Sequence, residues 1–436
     1  DHRDLHSFPT RRSSDLPVAG YFLRRKRKKS VYLHNLIFCA MQKRNIFRLM
    51  GALLLFVVAC RDEYRIGPLS PFNPVGRLDT IPYSPTPFAI ISPLGMPTMP
   101  TPAENPTTVE GIKLGRLLFY DPILSGDSTM SCASCHQIDK AFTDGRARSI
   151  GIAGLEGTRN SMSLINVGFN WKPNRQTNFN WDGAFATLEA QAIMPVQHPL
   201  ELNADWSIVE KKLRQHAHYP RLFRQAFGVE HVDEIDRFYA ARAIAQFLRT
   251  LNSAAAPVDS FYRVPFYSLS PEAERGMELF IGDTGGNPFA RDAECAHCHS
   301  FTRDFMTFAR NDFSNNALDS VASLNDFIDK GLGTITGRIQ DNGRFREVTL
   351  RNIALTAPYM HDGRFNTLEE VMDHYVEHGH SRPFAAFELS TSTDLRTLTA
   401  QEKADIIAFL HALTDTSYFS RQEWQNPFVV EANPWQ

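Results

Sequence analysis

Two short motifs limit what this chain can be. Cys132-Ala133-Ser134-Cys135-His136 is matched 163 residues later by Cys295-Ala296-His297-Cys298-His299. In each, two thiols separated by two residues can add to the two vinyl groups of one porphyrin, and the histidine that follows is held where it can bind iron. The alternatives are a zinc site or a disulfide. Zinc asks for four ligands per site and gains nothing from a histidine after the second cysteine. The two motifs also use four of the six cysteines. The chain therefore reads as a carrier of two covalently bound haem c groups, with His136 and His299 as iron ligands.

The formal charge of -2 averages two unlike pieces. Residues 1–59 hold 12 Lys and Arg against 3 Asp and Glu, which leaves 34 against 45 for residues 60–436. That acidic balance argues against nucleic-acid binding. Residues 1–40 read as upstream translation: the run from His6 to Leu16 resembles translated adapter sequence, and the first methionine is Met41. Residues 41–59 read as a secretory signal. Lys43, Arg44 and Arg48 precede an apolar run, 49–59, too short to span a bilayer. It ends in Val57-Val58-Ala59-Cys60, as in a bacterial lipoprotein signal, so Cys60 is the expected lipidated residue. An ordinary signal peptide ending at a cysteine is the alternative. Either reading sends the protein to the cell envelope, and in the first it meets the membrane through the lipid alone.

Residues 60–103 read as a tether, part of it lying along the folded surface, because ten prolines from Pro68 to Pro102 forbid a long helix there. Helical spacing then appears at 109–119, 187–193, 205–216, 233–251, 271–280, 367–377 and 399–413. In the fourth of these, Ile235, Phe238, Tyr239, Ala243, Phe247 and Leu248 mark one apolar face. Ser270 is a good N-cap and Pro271 suits the first turn. No convincing strand of length is present. Ser253-Ala254-Ala255-Ala256-Pro257 is the best boundary, dividing a domain at 104–257 from one at 258–436. In each, a helix leads into a haem motif. The expected fold is mainly α: two tandem cytochrome c-like domains with long loops and one haem apiece.

From residue 104 to 415 the chain resembles the bacterial dihaem cytochrome c peroxidases and their relative, the methylamine-dehydrogenase maturation enzyme. The matching stretches, in the family's order, are Leu114-Gly115-Arg116-Leu117-Leu118-Phe119-Tyr120-Asp121-Pro122, the first haem motif, Gly157-Thr158-Arg159-Asn160 and Trp181-Asp182-Gly183. They continue with Leu188-Glu189-Ala190-Gln191-Ala192, the second motif, and the run from Leu350 to Gly363, which includes Pro358-Tyr359-Met360-His361-Asp362-Gly363. The resemblance implies a first haem that reacts with hydrogen peroxide and a second that passes it electrons from a small donor, a cytochrome c or a cupredoxin. It implies that Trp181 lies between the haems and that Gln191 and Glu201 flank the peroxide iron. It also implies that Asn160, Thr356 and Pro358 hold a calcium ion, and that a homodimer is possible. Elementary chemistry agrees on Glu201: cleaving peroxide needs a proton taken from one oxygen and given to the other, which one carboxylate can do.

Two departures stand out. Many members have a blocking histidine 16 residues beyond the first haem histidine; here that residue is Ile152, which cannot ligate iron. The first haem is therefore expected to be five-coordinate at rest. Many members carry a methionine ligand for the second haem 14 residues past the histidine matched by His361; here it is Tyr375, as in the maturation enzyme. Met360, His374 and His378 lie close enough in sequence to compete, and an open site is a further alternative; Met372 reads as core. Against the maturation branch, its surface tryptophan two residues before the second motif is Ala293 here. The leading expectation is a hydrogen-peroxide reductase. A maturation-type oxidase acting on a partner protein and a non-enzymatic dihaem electron carrier are the rivals.

Overall fold

Helix α1 (Val109–Tyr120) begins where Thr108 accepts a hydrogen bond from the Gly111 N–H, which satisfies one of the first turn's free donors. It turns Leu114, Leu117, Leu118 and Phe119 inward. It leads into the single-turn α2 (Cys132–Cys135) of the first haem motif. Then come α3 (Leu188–Gln197), α4 (Trp206–Gln215), α5 (Tyr219–Phe227), α6 (Arg237–Leu248) and α7 (Pro257–Arg263). The plan then repeats. Helix α8 (Pro271–Ile281), capped by Ser270, leads into the single-turn α9 (Cys295–Cys298) of the second motif. Short α10 (Leu332–Thr336) precedes α11 (Leu368–His378), α12 (Phe387–Thr391), α13 (Thr393–Arg396), α14 (Ala400–His411) and α15 (Pro427–Val430). Strands β1 (Phe313–Ser314) and β2 (Phe345–Arg346) pair antiparallel and are two residues each. The fold is mainly α, as expected. This computed structural model describes residues 76–170, 179–282, 291–300, 306–379 and 381–436, all within one compact unit spanning 66–436. The expected leader, Cys60 and the start of the tether lie outside the described residues.

Two cores organise the unit. The first gathers α1, α3, α4, α5 and α6; the second gathers α8, α11 and α14. Each is built on one close helix crossing, and each crossing turns on one glycine. A Cβ on Gly115 of α1 would sit 1.9 Å from the Ala243 carbonyl oxygen of α6, and one on Gly276 of α8 would sit 1.9 Å from the Asp405 carbonyl oxygen of α14. Four residues after each glycine stands a fully buried phenylalanine, Phe119 or Phe280. The two halves thus repeat a crossing as well as a motif.

Three features refine or depart from the expectation. The pattern at 233–251 resolves into a 3-10 turn, Val232–Glu234, and then α6, so Phe238 is 57% exposed while Ala240, Ala241 and Ile244 turn inward. The described part of the proline-rich stretch lies against the body. Leu78 joins the first core, Met96 and Met99 the second, and the Met306 N–H donates to the Gly95 carbonyl at 2.7 Å. Finally, residues 418–435 follow the second half in sequence but pack on the first core. Tyr418 and Trp424 are buried in it, and Arg116 donates to the carbonyls of Gln422 and Gln425 and to Glu431. Large aromatic side chains repay such a return by the area they bury.

Candidate haem-binding and peroxide site

Ser131 and Ser134 cap α2 reciprocally, the Ser131 N–H donating to Ser134 Oγ at 3.0 Å, and this sets Cys132 and Cys135 on one short turn. His136 Nδ1 donates to the Phe142 carbonyl at 2.7 Å, and Ser161 Oγ lies 3.4 Å away. In the second motif His299 Nδ1 donates to the Val348 carbonyl at 3.0 Å. A neutral imidazole that gives its Nδ1 proton to a carbonyl offers the Nε2 lone pair as a ligand, the arrangement metal-binding histidines use. Burial keeps both rings neutral, lowering His136 and taking His299 down to about 4.

None of the four motif cysteines is in a disulfide. Burial pushes Cys132, Cys295 and Cys298 up to about 12 and Cys135 up to about 11. Protonated thiols in apolar surroundings are a poor start for a thiolate metal site. The second motif opens on a cavity of about 230 Å³. Phe280, Leu368, Ile406 and Leu410 give it apolar walls, and Arg346, buried, brings a guanidinium to its lining. A flat apolar macrocycle with carboxylate side arms fits such a lining.

Glu201 sits on a turn folded back onto the end of α3. Its N–H donates to the His198 carbonyl at 3.0 Å, and the Ile152 N–H donates to the Glu201 carbonyl at 2.9 Å. Its charge is felt by Cys132 and Cys135, which places the carboxylate on the first haem's side. The side chain keeps 45% of its surface open, yet its carboxyl is held above the usual range, because desolvation outweighs the favourable field of His198, whose Nδ1 is 3.5 Å from Oε1. Ile152 is buried beside this turn. Gln191 is four residues into α3 and partly buried.

Trp181 lines the second cavity and points back at the first motif. Its Nε1–H donates to the Asn160 carbonyl at 2.9 Å. The neighbour of Asn160, Ser161, donates to the Cys135 carbonyl at 2.9 Å. Bonded groups thus run from the first haem motif to Trp181, which lines the cavity of the second. Asn160 spends its amide N–H on the Arg146 carbonyl, which leaves Oδ1 as an acceptor; Thr356 and Pro358 line the same cavity.

Tyr375, on α11, faces the second cavity, and its phenol, raised by burial first, feels Cys298 and Cys295. Asn316 bonds its side chain and also donates to Met360 Sδ at 3.2 Å, so both candidate ligands stand in one network. His374 is spent on the Asn316 carbonyl at 3.0 Å, and Met372 is buried in the core. Ala293 is 2% exposed, so that position offers no surface group. The sequence reading passed over His198, Ser161, Asn316 and Arg346. His198 alone carried a signal, standing three residues before Glu201.

A family model for di-haem cytochrome c peroxidase matches residues 109–264. The methylamine utilization protein MauG of Methylorubrum extorquens is 33% identical over 318 residues, 72% of this chain and 81% of its own. A cytochrome-c peroxidase of Pseudomonas sp. (strain SCT) is 32% identical over 73% of this chain and 84% of its own. The crystal structure of a MauG-like protein associated with microbial copper homeostasis superposes with a TM-score of 0.66 at 34% identity, covering 77% of this chain and 98% of the other. On matched haem motifs, fold and relatedness over most of its length, the chain belongs to the di-haem cytochrome c peroxidase family, with two haem groups as its cofactors.

Proposed function

We propose that the protein reduces hydrogen peroxide to water with two electrons from a small redox protein. The observation that carries this reading is the turn that sets Glu201 beside His198 and bonds its carbonyl to the N–H of Ile152, an isoleucine where a blocking ligand would otherwise stand. The haem held by Cys132, Cys135 and His136 supplies the iron on which peroxide is bound and reduced. Glu201, through Oε1 or Oε2, takes the proton from one peroxide oxygen and returns it to the other as water leaves. Gln191 orients the bound oxygen from α3. Trp181 links this site to the haem held by Cys295, Cys298 and His299, where the donor, a cytochrome c or a cupredoxin, delivers single electrons. Tyr375 would hold the iron of that second haem from α11, with Met360 as its rival. Asn160, Thr356 and Pro358 hold calcium, whose preference for oxygen ligands suits an amide and two carbonyls. Residues 104–257 and 258–436 each carry one haem. The protein faces the periplasm, tethered by lipid on Cys60; no helix among the described residues is long and apolar enough to cross a membrane.

Mixing the oxidised protein with peroxide in a stopped-flow spectrometer tests this. The Soret band should change without prior reduction, and a reduced cytochrome should then sustain turnover. Glu201→Gln should lower kcat/KM for peroxide by about 10²–10⁴-fold with the resting spectrum unchanged. Inertness until an electron is added would overturn the open first haem. A second reading, oxidation of a partner protein, is favoured by Tyr375 in the second cavity and opposed by the buried Ala293. A single burst without steady turnover on the cytochrome would select it.

A further inference from the structure

Each turnover needs more protons than peroxide carries: H₂O₂ + 2 H⁺ + 2 e⁻ gives 2 H₂O. The proton that Glu201 moves between the two peroxide oxygens comes from peroxide itself. The two that complete the waters come from solvent. The geometry points to His198 as the group that hands solvent protons to Glu201. This deepens the peroxidase reading and rests on it.

His198 caps the C-terminus of α3, its N–H donating to the Met194 carbonyl at 2.9 Å. Its own carbonyl accepts from the N–H groups of both Glu201, at 3.0 Å, and Asn203, at 3.1 Å. The Leu202 and Ala204 N–H groups reach back to Pro195 and Val196. The turn that carries Glu201 is therefore pinned to α3 through main-chain bonds, with His198 at its hub. From there the ring looks two ways. Nδ1 lies 3.5 Å from Glu201 Oε1, and 39% of the side chain meets solvent.

The groups facing Glu201 are few. His198 faces it from its own turn, the thiols of Cys132 and Cys135 feel its charge from α2, and Ile152 bonds its carbonyl from the neighbouring loop. Isoleucine carries no proton, and the sulfurs of Cys132 and Cys135, once bonded to the haem, carry none either. Imidazole is the side chain that gains and loses a proton between pH 5 and 8. The transfer balances simply. In the Nδ1–H tautomer, Nε2 takes a proton from solvent hydronium, the ring carries the charge, and Nδ1–H passes its proton to the Glu201 carboxylate. The ring ends neutral, and the Leu200 N–H, 3.4 Å from Nδ1, then donates to the freed lone pair. Exchange of the ring proton with solvent restores the tautomer before the second transfer.

The test uses the haem-loaded protein with His198→Gln and His198→Ala. Because the turn hangs on main-chain bonds, both variants keep it. With peroxide and reduced cytochrome saturating, kcat should fall on the order of 10²-fold, the low end for lost proton transfer, with little change in peroxide KM. The pH dependence of kcat between 5 and 8 should flatten, and added imidazole should restore rate to His198→Ala. A second readout is independent of turnover. In infrared spectra, the carboxyl band assigned by its loss in Glu201→Gln should titrate at higher pH in His198→Gln, since the field of His198 is gone. Wild-type kcat in both variants, or a loss that imidazole does not relieve, would overturn the relay while the peroxidase reading stands. A wild-type protein with no peroxide turnover would overturn both.

Discussion

Replacing Gly276 by alanine should destabilise the second half, although alanine is the better helix former. Gly276 lies inside α8, where Gly→Ala alone would add roughly 0.5–1 kcal/mol. Here the new Cβ would stand 1.9 Å from the Asp405 carbonyl oxygen, 2.4 Å from its carbon and 2.8 Å from the Ile406 nitrogen. A carbon–oxygen contact settles at about 3.3–3.6 Å. The helices must part by more than an ångström, and the atoms in the way are helix backbone, so no rotamer change relieves them. A gap of about 0.5–1 Å already forfeits a quarter to a half of a dispersion contact, and Phe280, Phe308 and Phe409 meet near this crossing. Overpacking costs of about 1–3 kcal/mol then exceed the gain in propensity, for a net loss on the order of 1–2 kcal/mol. Gly115→Ala, facing the Ala243 carbonyl at the same 1.9 Å, should lose as much in the first half. Guanidinium unfolding of the haem-loaded protein, followed at the Soret band, reads both as lower midpoints. A midpoint that rises in either variant would refute the argument from close approach.

Trp181→Phe removes the indole N–H from the Asn160 carbonyl; it should cost about 1–3 kcal/mol and slow re-reduction of the first haem from the second in stopped-flow traces. An unchanged electron-transfer rate would exclude the tryptophan as the link. Tyr375→Met should raise the potential of the second haem, measured by spectroelectrochemistry, because thioether ligation favours the reduced metal and phenolate the oxidised one; an unmoved potential would remove Tyr375 as a ligand. Asp405 is held below the ordinary carboxylate range, chiefly by the paired hydrogen bonds from Arg275 at 2.8 Å. A carboxyl with a lowered folded pKa contributes stability fully above its unfolded value, roughly pH 4, and loses it as pH falls through the folded value. Arg275→Gln should therefore weaken the protein at pH 6 and narrow its difference from wild type toward pH 3 in thermal melts, whereas a gap constant with pH would show that Asp405 contributes nothing through this pair.

What could be read in the chain followed from how local each signal is. The thiol–thiol–histidine spacing is a covalent requirement, so both haem motifs were plain, and the helices that lead into them showed by periodicity and by Ser270. Helix α5 went unread although Tyr219, Leu222, Phe223 and Ala226 keep helical spacing, because nine residues beginning Tyr-Pro look like a turn. Phe238 misled because an apolar ring on an amphipathic helix is ordinarily buried, and here Ala240, Ala241 and Ile244 take the inward face. The return of Trp424 to the first core had no local signal, since long-range partners fix it: Tyr120 bonds its carbonyl, Phe142 packs on its ring and Arg116 holds the carbonyls of Gln422 and Gln425. Arg346 was invisible for a similar reason: its place on the cavity wall depends on β2 and on the bond from its N–H to the Trp181 carbonyl.

The two halves share a crossing, a buried phenylalanine and a haem motif, so their different tasks must come from what the loops add. To the first motif the chain delivers Ile152, Glu201 and His198: an apolar residue where a ligand would block, a carboxyl raised by desolvation, and an imidazole open to water. These are the needs of a site that exchanges protons with a small substrate. To the second it delivers Tyr375, Met360 and an apolar wall, with His374 spent on a main-chain carbonyl. Trp181 belongs to both, bonded to the first side through Asn160 and lining the cavity of the second. Duplication supplied two equal scaffolds, and a handful of loop residues made one of them a place for chemistry and the other its supply.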